Sequence, residues 1–416
     1  MRIIMFSWEY PPKSVGGLAQ HVYDLTGALA DIGEEVHLVT VGSNDAPEFE
    51  NVNGVRVYRV YPYNVSSPEF VNWVAQLNIA MMERAVSVIN DVGNFHLVHG
   101  HDWLVAYVSR AVKHAFRIPM VATIHATEYG RNYGLHNNTQ RHISDVEWWM
   151  IYESWRAICC SHYMKGELQH VFQVPDDKIR IIPNGVNTEA FRMTDNSCRR
   201  EDYASPDEQI VLYVGRLVRE KGVQVLLDAI PHILKFRPGT KFIIAGRGPH
   251  EGVLRSQASA MGIDNRVYFT GYVNDALRNA LYSWADVAAI PSLYEPFGIV
   301  ALEAMAARAP VVISDTGGLG EILDHRVDGL KAYPGNSQSL ADMILWLLND
   351  RQMAGNMKER AYEKVRRQYS WLEIARQTRE IYRDILNARR SVAWYDTSDR
   401  YGGIFDRVTR LFGKPS

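Results

Sequence analysis

The stretch Leu293-Tyr294-Glu295-Pro296-Phe297-Gly298-Ile299-Val300-Ala301-Leu302-Glu303-Ala304-Met305 follows an apolar run, Ala285 to Ile290, and its reading decides the fold. The run has the length of a short buried strand. Pro296 and Gly298 break it, and a helix-forming segment begins at once. At such a turn the backbone N–H groups of Gly298, Ile299 and Val300 open the helix without partners, where they can hold an anion or a hydroxyl-rich ligand. Glu295 falls in the loop at the C-terminal edge of the strand and Glu303 lies past the first helical turn. Two carboxylates so placed suit two contacts on one extended ligand, and a sugar nucleotide has that shape. For an isolated pair the readier explanation is one Glu countering the helix dipole and one on the surface, so the decision rests on the company the motif keeps.

Strand-like runs at Arg2 to Phe6, Val36 to Val39, Leu97 to His99, Met120 to Ile124 and Ile158 to Cys160 alternate with helical patterns, the rhythm of a parallel sheet. After the polar segment Thr194 to Glu208 the pattern restarts at Ile210 to Val214, Lys241 to Ala245, Val267 to Phe269, Val287 to Ile290 and Val311 to Ser314. The fold class expected is therefore α/β, with two doubly wound, Rossmann-like halves. Pro183-Asn184-Gly185 halts a strand and supplies a turn, which puts the hinge near 186. The expected domains are residues 1–186 and 187–369, with a last long helix over about 370–390 and a tail, 391–416. In that tail Ile404, Phe405, Val408, Leu411 and Phe412 would line one face of a short helix, which suits packing on protein better than lying on a membrane.

Ligands of open parallel sheets bind beyond the C-terminal ends of the strands. The loop after the first strand carries Lys13, Gly16 and Gly17, and paired glycines let a ligand approach the backbone closely. The first strand of the second half is followed by Gly215-Arg216 and Lys221-Gly222, two cations for which a diphosphate is the natural partner. Ser314-Asp-Thr-Gly317-Gly318 leaves a strand at the edge expected to hold Glu295. In the first half, His101-Asp102 and His125 also follow strands, at the cleft mouth, where a histidine can hydrogen-bond a sugar. Metal binding through His99, His101 and Asp102 is the rival reading, but no His-x-x-x-His helix and no cysteine completes a set.

The 416 residues carry 45 Lys and Arg against 47 Asp and Glu with no long single-sign charge run, so a dedicated nucleic-acid groove has no support, while a local basic pocket for phosphates stays open. No apolar run approaches a membrane span, and Met1 to Phe6 lacks the length and flanks of a signal peptide, so a cytoplasmic protein is expected. Cys159, Cys160 and Cys198 form neither a disulfide framework nor a metal pair.

In order along residues 1 to 390, Lys13-Ser-Val-Gly-Gly-Leu18, His101-Asp-Trp103, Thr123-Ile-His125, Pro183-Asn-Gly185, Gly215-Arg216 with Lys221, Gly271-Tyr272 and Glu295-Pro-Phe-Gly-Ile-Val-Ala-Leu-Glu303 form a joint set. That set resembles the retaining nucleotide-sugar glycosyltransferases of the family containing glycogen and starch synthases, most of all the short archaeal-type glycogen synthases. The resemblance implies the GT-B fold, two Rossmann-like domains facing across a cleft, with the acceptor side in the first and the donor in the second. It implies ADP- or UDP-glucose as donor, an α-1,4-glucan as acceptor, and no cofactor. Lys13, Gly16 and Gly17 would meet the donor phosphates or the reacting sugar, Arg216 and Lys221 would grip the diphosphate, and Glu295 would contact the transferring sugar. Glu303 would hold the ribose, with Phe297, Gly298, Ile299 and Val300 beside it. Tyr272 would pack near the base, His125 would face the reacting sugar, and Asp102 would meet the sugar or the acceptor. The chain has no Asp-x-Asp, so metal-independent catalysis is expected. Where these synthases often carry an acid after Gly-Gly-Leu-Ala, Gln20 stands here. A different acceptor, such as glucose 1-phosphate, a sucrose-type sugar, or a lipid or cell-wall sugar, is the alternative, and a non-catalytic binder is the minor one.

Overall fold

The structure, a computed structural model, describes residues 1–63, 65, 69–191 and 198–391. The apolar face read in Ile404 to Phe412 lies outside the described residues.

Two sheets form the frame. The first contains β1 (Arg2–Phe6), β2 (Glu35–Val41), β3 (Phe49–Val52), β4 (Val55–Val60), β5 (Leu97–His101), β6 (Met120–Ile124), β7 (Arg156–Cys159) and β8 (Ile179–Ile181), in the order β3-β4-β2-β1-β5-β6-β7-β8. The second contains β9 (Gln209–Val214), β10 (Thr240–Ala245), β11 (Val267–Gly271), β12 (Val287–Ile290), β13 (Val311–Ser314) and β14 (Leu330–Ala332), in the order β11-β10-β9-β12-β13-β14. Every described pairing is parallel except β3 with β4. The central strands are rich in apolar residues and buried along nearly their whole length, as parallel strands covered by helices on both faces must be.

In each sheet the strand order reverses at one place: between β1 and β5 in the first, between β9 and β12 in the second. A crevice opens at such a reversal because the connecting helices leave to opposite faces. The loops after β1, β5, β9 and β12 are the ones that carry Lys13, Asp102, Lys221 and Glu295.

The antiparallel pair β3–β4 was not expected. Its turn, Asn53-Gly54, has φ of 50° and 84°, the left-handed pair that a two-residue hairpin needs, and Asn-Gly is the usual way to supply it.

Two crossings join the lobes. The first is the segment through Asn184-Gly185-Val186, and the second is the turn at Tyr369 before the helix Trp371–Arg390. They run side by side, with the Val186 N–H donating to the Tyr369 carbonyl at 2.9 Å. The final helix then lies against the helix Gly17–Asp31 of the first lobe. Its Tyr382 hydroxyl meets His99 Nδ1 at 2.7 Å in the buried interior. Among the described residues no helix is long and apolar enough to cross a membrane.

Candidate active site

The site is assembled from strand-end loops that meet across the gap between the lobes. On the first lobe, the helix Gly17–Asp31 begins at Gly16 with no side-chain cap. Its N-terminal amides are instead served by Glu9, whose Oε2 accepts from Val15 N–H at 2.5 Å and Gly16 N–H at 3.1 Å. Lys13 and Gly17 are exposed beside this nest. A Cβ on Gly17 would stand 3.1 Å from Ile299 Cδ1 of the opposite lobe, a tight contact that would make that side chain shift.

Asp102, at the end of β5, holds a φ of 61°, a left-handed conformation uncommon for a residue other than glycine. The strained backbone turns its carboxylate back on the next strand, where Oδ1 accepts the His125 backbone N–H at 2.8 Å. The ring of His125 packs with two further histidines: its Nε2 lies 3.2 Å from His101 Nδ1, and its centroid 4.6 Å from that of His21. His99 does not join this group toward the cleft. Both of its nitrogens are occupied, by Tyr382 and by Thr123, each at 2.7 Å. The ligand set weighed from sequence, His99 with His101 and Asp102, is therefore not assembled, because two of the three are spent on fixing the fold.

On the second lobe, the short turn Arg219–Lys221 ends at Gly222 and delivers Lys221 to the loop after β12. Lys221 Nζ is 2.5 Å from Glu295 Oε2, and Ser292 Oγ donates to the same oxygen at 3.3 Å. Glu295 is thereby buried with a charged partner, as a buried carboxylate requires. Arg216 is exposed, and its guanidinium acts on Glu9 across the gap. Gly298, with φ of 110°, caps the helix Ile299–Ala306, and a Cβ there would meet Leu319 Cδ1 at 2.6 Å. Only glycine serves at that position. Among the described residues the amides of Gly298, Ile299 and Val300 have no hydrogen-bond partner. Glu303 accepts from the Tyr282 hydroxyl at 3.2 Å and sits 3.7 Å from the Arg278 guanidinium. Tyr272 is exposed at the same end of the sheet, within the field of Arg278. Phe297 points the other way: its ring is buried against Tyr369, at 6.1 Å between centroids, so only its backbone faces the cleft.

The two halves of the chain match separate family patterns. Residues 15–190 match the pattern of glycosyltransferase family 4, and residues 197–364 that of glycosyl transferases group 1. Over 392 residues the chain is 41% identical to an uncharacterised glycosyltransferase of Methanocaldococcus jannaschii, covering 92% of this chain and 98% of the other. It is 35% identical over 397 residues to a glycogen synthase of Mycobacterium tuberculosis, with 92% and 94% covered. The chain belongs to the group 1 glycosyltransferases. Among solved structures, the sucrose-phosphate synthase of Thermosynechococcus elongatus superposes on this glycosyltransferase with a TM-score of 0.82 at 26% identity, covering 93% of this chain and 99% of that one. The frame is thus that of a GT-B glycosyltransferase.

Burial governs the charges in this glycosyltransferase. Removal from water pushes Asp102 up to about 6, although Arg131 and the His125 amide oppose the rise. The same cause raises Glu303 against the pull of Arg278, and holds His125 down at about 3. The His125 imidazole is consequently neutral at physiological pH, a hydrogen-bonding group and not a cation.

Glu9 is a buried carboxylate of this loop that sequence reasoning passed over. Its signal was present, because an acid placed shortly before an uncapped Gly-Gly helix start is in reach of the free amides. Burial pushes it up to about 7, against the two amide hydrogen bonds that lower it. The folded state then holds a proton on Glu9 that the unfolded chain releases near 4.5. Stability from this group is fully present below 4.5 and lost as the pH rises through about 7. Glu9→Gln keeps an acceptor for Val15 and Gly16 but cannot ionise. The variant should gain on the wild type by on the order of 1–3 kcal/mol at pH 8 relative to pH 5. Thermal melts of both proteins across that range test it, and parallel curves would remove the linkage.

Proposed function

We propose that this glycosyltransferase moves glucose from ADP- or UDP-glucose to the non-reducing end of an α-1,4-glucan, with retention of configuration and no catalytic metal. The observation that carries the reading is Lys221 held at 2.5 Å from Glu295, on the lobe opposite His125. One ammonium has three donors, so Lys221 can keep Glu295 in place and still point at a diphosphate oxygen. Arg216, exposed in the same gap, is the second cation.

In this reading the diphosphate lies between Arg216, Lys221 and the free amides of Gly298, Ile299 and Val300, with Lys13, Gly16 and Gly17 closing over it. Glu303, oriented by Arg278 and Tyr282, takes the ribose hydroxyls, and Tyr272 covers the base. Glu295 and His125 hold the glucosyl ring, while Asp102 meets the sugar or the acceptor. As the bond from C1 to the phosphate oxygen breaks, negative charge grows on the diphosphate. Preorganised cations in a water-poor cleft lower such a barrier by several kcal/mol. The acceptor hydroxyl attacks C1 from the face the diphosphate is leaving, and its proton passes to the departing phosphate oxygen. The products are the extended glucan and the nucleoside diphosphate, and the new bond keeps the old configuration.

Two observations favour a second reading, in which the acceptor is another sugar, phosphorylated or of sucrose type. Gln20 stands in the first turn of the helix Gly17–Asp31 with its amide committed to Asp24 at 2.7 Å, and the chain is similar to a sucrose-phosphate synthase. A panel of nucleotide sugars assayed against glycogen, short maltooligosaccharides and phosphorylated monosaccharides separates the two. Glucan-dependent release of nucleoside diphosphate is expected. Release that needs a monosaccharide acceptor would replace the glucan reading, and no release with any acceptor would leave only a binder.

A further inference from the structure

His21, His101 and His125 come from three different elements: the helix Gly17–Asp31, the end of β5, and the loop after β6. One ring nitrogen of each lies within 4.8 Å of the other two. Among the described residues this is the one grouping of three or more such side chains close enough to share an ion. The roles assigned above use only His125. The other two are buried at the base of the cleft, and Nε2 of His21 lacks a hydrogen-bond partner.

The tautomer of His21 is fixed by its neighbour. Nδ1 is 2.7 Å from the side-chain oxygen of Asn184, an acceptor, so Nδ1 carries the proton and Nε2 presents a bare lone pair. A ring nitrogen donating to an outer oxygen while its other nitrogen stands free is the arrangement seen in metal-ligating histidines. His101 Nδ1 and His125 Nε2 are 3.2 Å apart. An ion about 2.0–2.1 Å from both would see them about 100° apart, close to tetrahedral.

We propose that His21, His101 and His125 form a three-imidazole site for a divalent transition-metal ion, zinc or cobalt, whose occupancy withdraws His125 from the sugar and stops transfer. Three protein ligands leave a fourth position open on the cleft side. Imidazole-only ligation selects zinc, cobalt, nickel or copper over magnesium and calcium. The inhibition rests on the place proposed above for His125 at the sugar, whereas metal binding stands or falls independently of it.

The test uses the full chain, stripped with chelator and titrated with cobalt chloride. The expected result is one equivalent bound, with visible absorption of a tetrahedral centre, displaced by zinc. X-ray absorption of the zinc-loaded wild type should count three imidazole nitrogens. His21→Gln and His101→Gln, each checked by circular dichroism and melting, should weaken binding at least about a hundredfold. Micromolar zinc should inhibit nucleoside diphosphate release by the wild type, with recovery on adding chelator, and the activity left in His21→Gln should be indifferent to zinc. Absence of stoichiometric uptake by the wild type, fewer than three imidazoles on the bound zinc, or undiminished affinity in both folded variants would overturn the proposal.

Discussion

Lys221→Ala should lower kcat at saturating donor by at least about a hundredfold while the fold survives. The magnitude is that of losing one preorganised donor to a developing anion. The structure adds a second reason for a large effect. Lys221 is the charged partner of Glu295, whose carboxylate is otherwise held, among the described residues, by Ser292 alone and is nearly enclosed. Removing the ammonium leaves a buried carboxylate unpaired beside the place proposed for a diphosphate, so attraction is replaced by repulsion at the moment charge accumulates. Lys221→Arg should recover only part of the rate. A planar fork cannot occupy the position of a point charge 2.5 Å from Glu295 without shifting one of the two. The two variants and the wild type are compared in kcat at saturating donor, with melting temperature as the control for folding. Near-native turnover of Lys221→Ala would remove Lys221 from the chemistry and leave it a structural counter-ion of Glu295.

The frame was legible because its signals are local. Apolar runs such as Met120 to Ile124 could only be buried strands, and Pro296 with Gly298 marked where one ended. Since ligands collect at the carboxyl ends of parallel strands, the loops with Lys13, Arg216 and Glu295 stood out before any contact was known. What the sequence could not display are pairings made by strand order. Lys221 with Glu295, His21 with Asn184, and Glu303 with Arg278 are distant in the chain and meet only once β9 lies beside β12 and the crossings are in place. Phe297 marks the boundary between the two kinds of information. Its place in the loop was readable, but the direction of its ring is set by Tyr369, on the second crossing. His21 was hidden for a different reason. At the head of the series His21, Leu25, Leu29 it reads as one more core position on an apolar helix face, and only Asn184 and the neighbouring rings give it chemistry.

His125→Ala should cost a hundredfold or more in kcat and leave the affinity for free ADP or UDP close to that of the wild type. The separation follows from where the side chain sits. His125 belongs to the first lobe and is anchored through its backbone N–H to Asp102, while the groups proposed to hold the nucleotide, Arg216, Lys221 and Glu303, belong to the second. Nothing in the nucleotide's own contacts changes when the imidazole is removed. A neutral ring in a water-poor cleft acts by hydrogen bonding, and such a bond is worth most when it tightens as the sugar gains positive character, so the loss falls on the transition state. The comparison is of kcat with the dissociation constant of the nucleoside diphosphate measured calorimetrically. An unchanged kcat would reduce His125 to a packing role beside His21 and His101. A loss of nucleotide affinity equal to the loss of rate would show that the ring supports the donor site as a whole, and not the reacting sugar.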